Sequence, residues 1–218
     1  MPILSEDQKK VLSLIGNNTI ITDQFYLSGG TALAEYYLGH RLSEDLDFFS
    51  EKEFDPAVIS VFFKTIQKKA GIVSVVFEQS FNRNLFFLDL KDNRVKTEFT
   101  YFPFPRIEQH KKFEQLGIDS LLDIAVNKLF TIYQKPRSRD FIDLYCILQK
   151  EKNWTVGDLT EKAQIKFDNF LDPLQLSAQF VKVETLKDYP TMLISLPEKE
   201  WQGFFTDEAK RLAETQME

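Results

Sequence analysis

Cysteine and histidine are scarce in this sequence. Cys146 is the one cysteine among 218 residues, which excludes an intrachain disulfide and suits a reducing compartment. The two histidines, His40 and His110, argue against a zinc site built from histidine and cysteine. The 27 basic residues are outnumbered by 33 acidic ones, and the formal net charge of −6 gives no overall attraction for nucleic acid. A nucleic-acid partner would therefore need a local basic patch.

Long apolar runs are also missing. No stretch reaches the length needed to cross a bilayer, and the N-terminal residues lack the basic segment and apolar run of a signal peptide. We therefore expect no membrane partner and a cytoplasmic location. With 43% hydrophobic residues and 21 phenylalanines, the chain has ample material for a globular core.

The hydrophobic patterns predict an α+β protein, with a mixed sheet and flanking helices followed by a mainly helical C-terminal region. We place the division between residues 1–105 and 106–218. About four or five strands are expected before Pro103. The predicted strands are 25–27, 45–49, 72–78, 84–90 and 94–101. The predicted helices are 5–16, 31–38, 56–70, 121–134, 155–168, 173–183 and 198–214, with another opening at residues 137–145; residues 184–197 remain ambiguous.

The most informative stretch joins a glycine pair to two aspartates. Gly29 and Gly30 follow a short apolar run and precede a predicted helix, where backbone N–H groups can approach a phosphate. If residues 45–49 form a strand, Asp45 and Asp47 project from one face, about 6–7 Å apart along it. Paired carboxylates of this kind can share divalent cations. The alternative is an exposed edge strand, with no chemical role for the two aspartates.

Nucleotidyl transfer on two metal ions calls for a third carboxylate on a neighbouring strand. Glu98 is the leading candidate, because residues 94–101 alternate and place Glu98 on the polar face. Asp89 is the rival candidate. Glu98 could instead be a solvent-facing residue paired with Lys96 or with another lysine across the sheet.

Four segments carry a resemblance to a known family. The first runs from Gly29-Gly30-Thr31-Ala32-Leu33 through His40-Arg41-x-Ser43-x-Asp45-Leu46-Asp47-Phe48-Phe49. The others are Lys96-Thr97-Glu98-Phe99, Asp123-Ile124-Ala125-Val126-Asn127-Lys128-Leu129 and Arg137-Ser138-Arg139-Asp140-Phe141-Ile142-Asp143-Leu144. In this order they resemble the signatures of the AbiEii/AbiGii toxin family, nucleotidyltransferases of the polymerase-β-like superfamily. Three differences are Gly30, where many superfamily members have serine although many toxins of this family share the glycine pair, Glu98 for a frequent aspartate, and Asp123 for the usual glutamate.

The resemblance implies a role for each matched residue. Asp45, Asp47 and Glu98 would bind Mg²⁺ or Mn²⁺, with Glu98 serving either as ligand or as base for the acceptor hydroxyl. The implied catalytic set is Asp45, Asp47, Glu98, Lys128 and Asp140. The implied nucleotide-binding set is Gly29, Gly30, Thr31, Arg41, Ser43, Lys128, Arg137, Arg139 and Asp143. Asp140 and Asp143 would orient Lys128 or the arginines, and Arg41 is expected to turn inward toward an active-site carboxylate.

Simpler interpretations exist for the basic segment before residue 140. Lys135, Arg137 and Arg139 follow the pattern of a solvated surface cluster, and Asp140 could be a helix N-cap.

By resemblance, the expected fold is nucleotidyltransferase-like. The expected reaction moves a nucleoside monophosphate from a nucleoside triphosphate (NTP) to an acceptor and releases pyrophosphate. The implied acceptor is RNA, specifically the 3′ end of tRNA, and the implied biological role is the toxin of a toxin–antitoxin pair with a cognate antitoxin encoded alongside. The alternatives are transfer to a small-molecule or protein hydroxyl, which the acidic net charge favours, and a non-catalytic nucleotide-binding module.

Overall fold

The computed structural model describes residues 2–214. The chain folds into two compact units. The first contains the chain as far as Tyr37 together with Leu42–Ser120, and the second contains Leu38–Arg41 together with the chain from Leu121 onward. The predicted domain boundary between residues 105 and 106 stays a prediction. The compact units of the structure separate after Ser120.

The first unit is built on a mixed sheet, which has seven strands within residues 2–214. The strands are β1 (Tyr26–Ser28), β2 (Asp45–Ser50), β3 (Ser74–Ser80), β4 (Arg83–Asp89), β5 (Arg94–Tyr101), β6 (Lys111–Phe113) and β7 (Leu116–Ile118). Their order across the sheet is β3-β4-β5-β2-β1-β7-β6. Strand β2 runs parallel to β5 and antiparallel to β1, so it lies near the middle of the sheet.

Local sequence signals define the helices of the first unit, which are α1 (Glu6–Gly16), α2 (Thr19–Thr22), α3 (Gly29–Leu33) and α4 (Pro56–Ala70). Helix α1 begins with a capping box in which Ser5 and Gln8 exchange hydrogen bonds. Helix α4 begins at Pro56 after the N-cap Asp55 and ends before Gly71, which has φ 81°. Helix α3 continues as a π-helical segment, Ala34–Leu38.

Phenylalanines fill one side of the sheet. Phe48 of β2 and Phe99 of β5 stack with ring centroids 4.8 Å apart, and both are fully buried. Phe63 of α4 packs on Phe86 and Phe99, so this helix covers the apolar face. Because side chains alternate along a strand, the residues between these phenylalanines point to the opposite face.

The second unit is helical, with α5 (Leu121–Gln134), α6 (Ser138–Lys150), α7 (Val156–Phe167), α8 (Pro173–Val181) and α9 (Glu198–Glu214). Pro136 lies in the break between α5 and α6. Aromatic side chains from three helices form its core: Phe141, Phe180 and Phe205 pack edge to face with centroids 4.8–6.3 Å apart. None of the helices formed by residues 2–214 is both long and apolar enough to span a membrane.

The predicted α+β class is confirmed, and most predicted elements agree closely with the structure. Helix α3 differs, since it begins at Gly29, with Ser28 as N-cap, rather than at Thr31. The glycine pair therefore forms the first turn of the helix. Strands β6 and β7 were not predicted, because Lys111-Lys112 and the glycine at 117 give these three-residue segments no strand pattern. Residues 185–197 contain no helix or strand in the structure, apart from a bridge between Met192 and Arg41.

Candidate active site

Strand β2 presents two aspartates on one face of the sheet. Its burial alternates, with Asp45 and Asp47 partly exposed and Leu46 and Phe48 fully buried. This is the alternation predicted from the sequence, with the carboxylates on the face opposite the phenylalanine core. The two aspartates therefore lie on the partly exposed face of the sheet.

Glu98 lies directly beside Asp47. The two are register partners on the parallel strands β2 and β5, and Asp45 is the partner of Lys96 in the same way. Register partners place their side chains on the same face, so the structure brings together Asp45, Asp47 and Glu98. The rival candidate Asp89 is at the end of β4, where it pairs with Arg94 and accepts a hydrogen bond from Ser74.

Two cations accompany the three carboxylates. Arg83 donates from Nε and Nη2 to the two oxygens of Glu98, at 2.6 and 2.5 Å, and Lys96 Nζ lies 2.6 Å from Asp45 Oδ2. Burial alone would raise the pKa of Glu98, but the hydrogen bonds and charge of Arg83 outweigh it and lower that pKa. Glu98 is therefore an anion at neutral pH. Sequence reasoning missed Arg83, because its contact depends on the register of β4 against β5.

The glycine turn contacts the same carboxylates. Gly29 has φ 71°, and a Cβ atom placed there would lie 3.1 Å from both Cβ and Cγ of Asp47. A side chain is thus excluded by both conformation and space. The hydroxyl of Thr31 contacts the Ser43 hydroxyl at 2.8 Å and donates to the backbone carbonyl of Asp45. These contacts fix the glycine turn against the start of β2. In this way the first unit brings Gly29, Thr31, Ser43, Asp45, Asp47 and Glu98 together, with Gly30 in the same helical turn.

The carboxylate donors suit a hard divalent cation, which prefers oxygen ligands. Two of them, Asp45 and Asp47, project from one strand face, and Glu98 is adjacent in register. Among residues 2–214, however, no group of three such side chains is already arranged to hold a metal ion. Glu98 and Asp45 are instead paired with Arg83 and Lys96. A metal at these residues would take over the neutralising role of those cations.

The second unit gathers the other predicted charged residues into a buried network. Lys128 Nζ of α5 lies 2.7 Å from both Asp140 Oδ1 and Asp143 Oδ2 of α6. Burial would lower the pKa of Lys128, but the two aspartates raise it. Burial would likewise raise the pKa of Asp143, yet the charge of Lys128 and the Arg41 hydrogen bond hold it well below the usual value. Lys128 and Asp143 are therefore both charged over the ordinary pH range.

Arg41 and His40 attach their own chain segment to this network. Arg41 donates from Nε and Nη2 to the two oxygens of Asp143, at 2.6 and 2.8 Å, and His40 Nε2 lies 2.7 Å from Asp143 Oδ1. Both side chains are buried. Arg41 thus turns inward toward the carboxylate of Asp143; whether that carboxylate belongs to an active site stays a prediction. In this arrangement its guanidinium binds protein rather than facing solvent.

Arg137 and Arg139 differ from each other. Arg137 donates to Asp140 Oδ2 at 2.8 Å and is itself the N-cap residue of α6, so the interpretation of Asp140 as an N-cap is wrong. Arg139 is exposed on the same helix. A second buried pair, Lys166 with Asp123 at 2.7 Å, was not predicted, because the partners are 43 residues apart.

Comparisons with known proteins identify the family of this chain. A family model described as "Nucleotidyl transferase AbiEii toxin, Type IV TA system" matches residues 17–213. An uncharacterized protein of Aquifex aeolicus is 34% identical over 170 residues, which cover 76% of this chain and 77% of that protein.

Solved structures from Helicobacter pylori have the same fold. A provisionally assigned nucleotidyltransferase gives a TM-score of 0.61 at 22% identity and covers 99% of both chains. The protein JHP933 gives 0.58 at 22% identity, covering 97% of this chain and 94% of its own. The match to the family model confirms the family expected from the sequence motifs. The chain belongs to the AbiEii family of nucleotidyl transferase toxins and is a nucleotidyltransferase.

Proposed function

We propose that this nucleotidyltransferase transfers a nucleoside monophosphate from an NTP to RNA, with the 3′ end of tRNA as acceptor, in a reaction that depends on Mg²⁺ or Mn²⁺. The observation that carries the proposal is the common face shared by Asp45, Asp47 and Glu98, beside a glycine turn that excludes side chains. The family supports the reaction class, and we propose these residues of the first unit as the site of the reaction.

In the proposed reaction, an acceptor hydroxyl oxygen forms a bond to the α-phosphorus of the NTP. The bond between that phosphorus and the bridging oxygen breaks, pyrophosphate leaves, and the hydroxyl proton passes to a base. Asp45, Asp47 and Glu98 would hold the divalent cations, which activate the attacking oxygen and stabilise the leaving group. Glu98 is an anion in this setting, so it is suited either to ligate metal or to accept the proton.

The remaining residues are proposed to bind and to orient. Gly29, Gly30, Thr31 and Ser43 would hold the triphosphate through backbone N–H groups and hydroxyls. Lys128 would supply a point charge to a phosphate oxygen, oriented by Asp140 and Asp143. Arg137 and the exposed Arg139 would contact phosphates of nucleotide or RNA. Arg41, being buried against Asp143, would hold its segment in place rather than touch the nucleotide.

The family description also supports a biological role. A toxin of a type IV toxin–antitoxin system implies an antitoxin, and we propose that this chain inhibits growth by modifying tRNA until its antitoxin counteracts it. The proposed site of action is the cytoplasm, where NTPs and tRNA are present.

The test is transfer of label from each of the four α-³²P-labelled NTPs to total tRNA in the presence of Mg²⁺. Labelled tRNA from the wild-type protein, with loss of label when EDTA replaces Mg²⁺, is the expected result. Analysis of the labelled tRNA after nuclease digestion locates the added nucleotide. Folded protein that labels no tRNA with any of the NTPs would contradict the RNA assignment.

One alternative acceptor has a specific observation in its favour. The net charge of −6 repels a polyanion, which favours a small-molecule or protein hydroxyl. The same assay with an aminoglycoside or a serine-containing protein in place of tRNA decides between them. The hypothesis of a non-catalytic module is not retained, because the chain belongs to a family of nucleotidyl transferases.

A further inference from the structure

Arg83 holds both oxygens of the third carboxylate. It lies at the start of β4 opposite Thr100 of β5, which makes it a diagonal neighbour of Glu98 on the same face of the sheet. The two N–H···O bonds, at 2.6 and 2.5 Å, form the bidentate pair that arginine makes with a carboxylate. Thr100 Oγ1 donates a further hydrogen bond to Glu98 Oε1 at 2.9 Å. Glu98 is therefore fully engaged within the first unit.

The same guanidinium lies in the field of all three carboxylates. The pKa of Arg83 is raised, first by its hydrogen bond to Glu98 and further by the charges of Asp47 and Asp45. Lys96 neutralises Asp45 in parallel. Two protein cations thus accompany the carboxylates to which divalent metal is assigned, and a metal ion and Arg83 would compete for Glu98.

The two partners differ in their freedom to move. The side chain of Glu98 is 8% exposed, whereas that of Arg83 is 52% exposed. A buried carboxylate needs a compensating charge, because an unpaired one carries a large desolvation cost. The exposed arginine can leave toward solvent, provided that another cation takes its place at Glu98. Arg83 therefore has the geometry of an exchangeable counter-ion for the fixed carboxylate of Glu98.

We propose that Arg83 is the counter-ion of Glu98 in the substrate-free protein, that a divalent cation replaces it when NTP binds, and that Arg83 then pairs with a phosphate oxygen of the NTP. This inference rests on the proposed function. It makes metal and nucleotide binding mutually dependent. Without NTP, a metal ion has to displace Arg83 from Glu98 while no phosphate is present to pair with the displaced arginine. By linkage, the NTP raises the affinity for metal and metal raises the affinity for NTP.

The test measures binding of Mn²⁺ by electron paramagnetic resonance at pH 8, first without nucleotide and then in the presence of each NTP. For Arg83→Gln we expect Mn²⁺ alone to bind about tenfold more tightly than to wild type, and the gain caused by NTP to shrink correspondingly. Arg94→Gln is the matched control. Arg94 pairs with Asp89 at 2.6 Å, is 57% exposed, and lies on the same face, four residues before Glu98 on β5. Its loss should leave Mn²⁺ binding unchanged.

Thermal unfolding of each variant verifies the fold. Arg83→Lys is the second variant; it keeps the charge but loses the two-pronged contact, so its affinity for Mn²⁺ alone should fall between those of wild type and Arg83→Gln. Equal or weaker Mn²⁺ binding by a folded Arg83→Gln protein, when wild type binds Mn²⁺ with NTP, would overturn this inference and leave the proposed function intact. Failure of wild type to bind Mn²⁺ with any NTP would instead overturn both.

Discussion

Asp47 of β2 and Glu98 of β5 occupy the same register position on neighbouring parallel strands, although they are 51 positions apart in the sequence. This pairing turns a two-residue aspartate motif into a three-carboxylate face. The functional importance of this three-carboxylate face can be tested directly, because the same sheet carries a comparable carboxylate, Asp89, that lies outside it.

Replacing Asp47 by asparagine should lower nucleotidyl transfer by at least about a hundredfold, since it removes a carboxylate that would hold the divalent cations at the reacting phosphate. Asp89→Asn is the matched control on β4 and should retain wild-type transfer. The measurement is the initial rate of label incorporation at saturating Mg²⁺, with circular dichroism to verify the fold. An Asp47→Asn protein that transfers at the wild-type rate would remove Asp47 from the catalytic set.

Gly29→Ala should impair both stability and transfer. The new Cβ would clash with Oδ2 of Asp47 and lie 3.1 Å from its Cβ and Cγ, in a residue with φ 71°. Gly39→Ala separates the two causes, because Gly39 has φ 63° but its Cβ would meet nothing within 4 Å. We expect Gly39→Ala to lose about 1 kcal/mol of stability with normal transfer, from backbone strain alone. Urea unfolding and initial rates measure both effects, and equal rates for the two variants would show that crowding of Asp47 has no consequence.

Asp143→Asn should destabilise the protein in a pH-dependent way. Breaking a buried ion network costs about 3–5 kcal/mol at neutral pH. Because the pKa of Asp143 is well below its unfolded value of about 3.9, its contribution is present in full above that value and is lost as pH falls through the folded-state pKa. The free-energy gap between wild type and variant should therefore be constant from pH 7 to about pH 5 and narrow below about pH 4.

Urea unfolding at a series of pH values measures this gap. Asp207→Asn is the control: its carboxylate forms an exposed pair with Lys210, and its loss should change stability little at any pH. A gap between wild type and Asp143→Asn that widens on acidification would contradict the assigned direction of the pKa shift.

Arg139→Ala tests the phosphate role of the exposed arginine. If Arg139 contacts an RNA phosphate, the variant should raise KM for tRNA and reduce the slope of log affinity against log salt by about one, with stability unchanged. Lys152→Ala removes another exposed cation of the second unit and is the control. Titration of tRNA at several salt concentrations measures the slopes, and identical slopes for all three proteins would assign Arg139 to the solvated surface.

The sequence was most informative where the signal is local. The alternation at Asp45, Leu46, Asp47 and Phe48 predicts the strand and its carboxylate face, and both are seen in the structure. Proline and glycine signals likewise locate α4 between Asp55 and Gly71. Such signals depend on residues two to four positions apart, so they can be recognised directly in the sequence.

Contacts that depend on strand register or on helix packing could not be predicted in this way. The pair of Arg83 with Glu98 depends on how β4 aligns with β5, and the pair of Lys166 with Asp123 joins residues in α7 and α5. In both pairs, several charged residues elsewhere in the sequence could equally have been the partner, so the sequence alone does not identify it. Family resemblance named Lys128, Asp140 and Asp143, and the structure adds that they form one buried network.

The short segment Leu38–Arg41 limits how this protein can be rebuilt from parts. It belongs to the second unit, although the chain before and after it belongs to the first. An exchange of C-terminal regions between relatives, made by one crossover after Ser120, would leave His40 and Arg41 facing a foreign counterpart of Asp143. A working chimera should therefore carry residues 38–41 together with the helices of the second unit, so recombination between family members is expected to favour paired breakpoints.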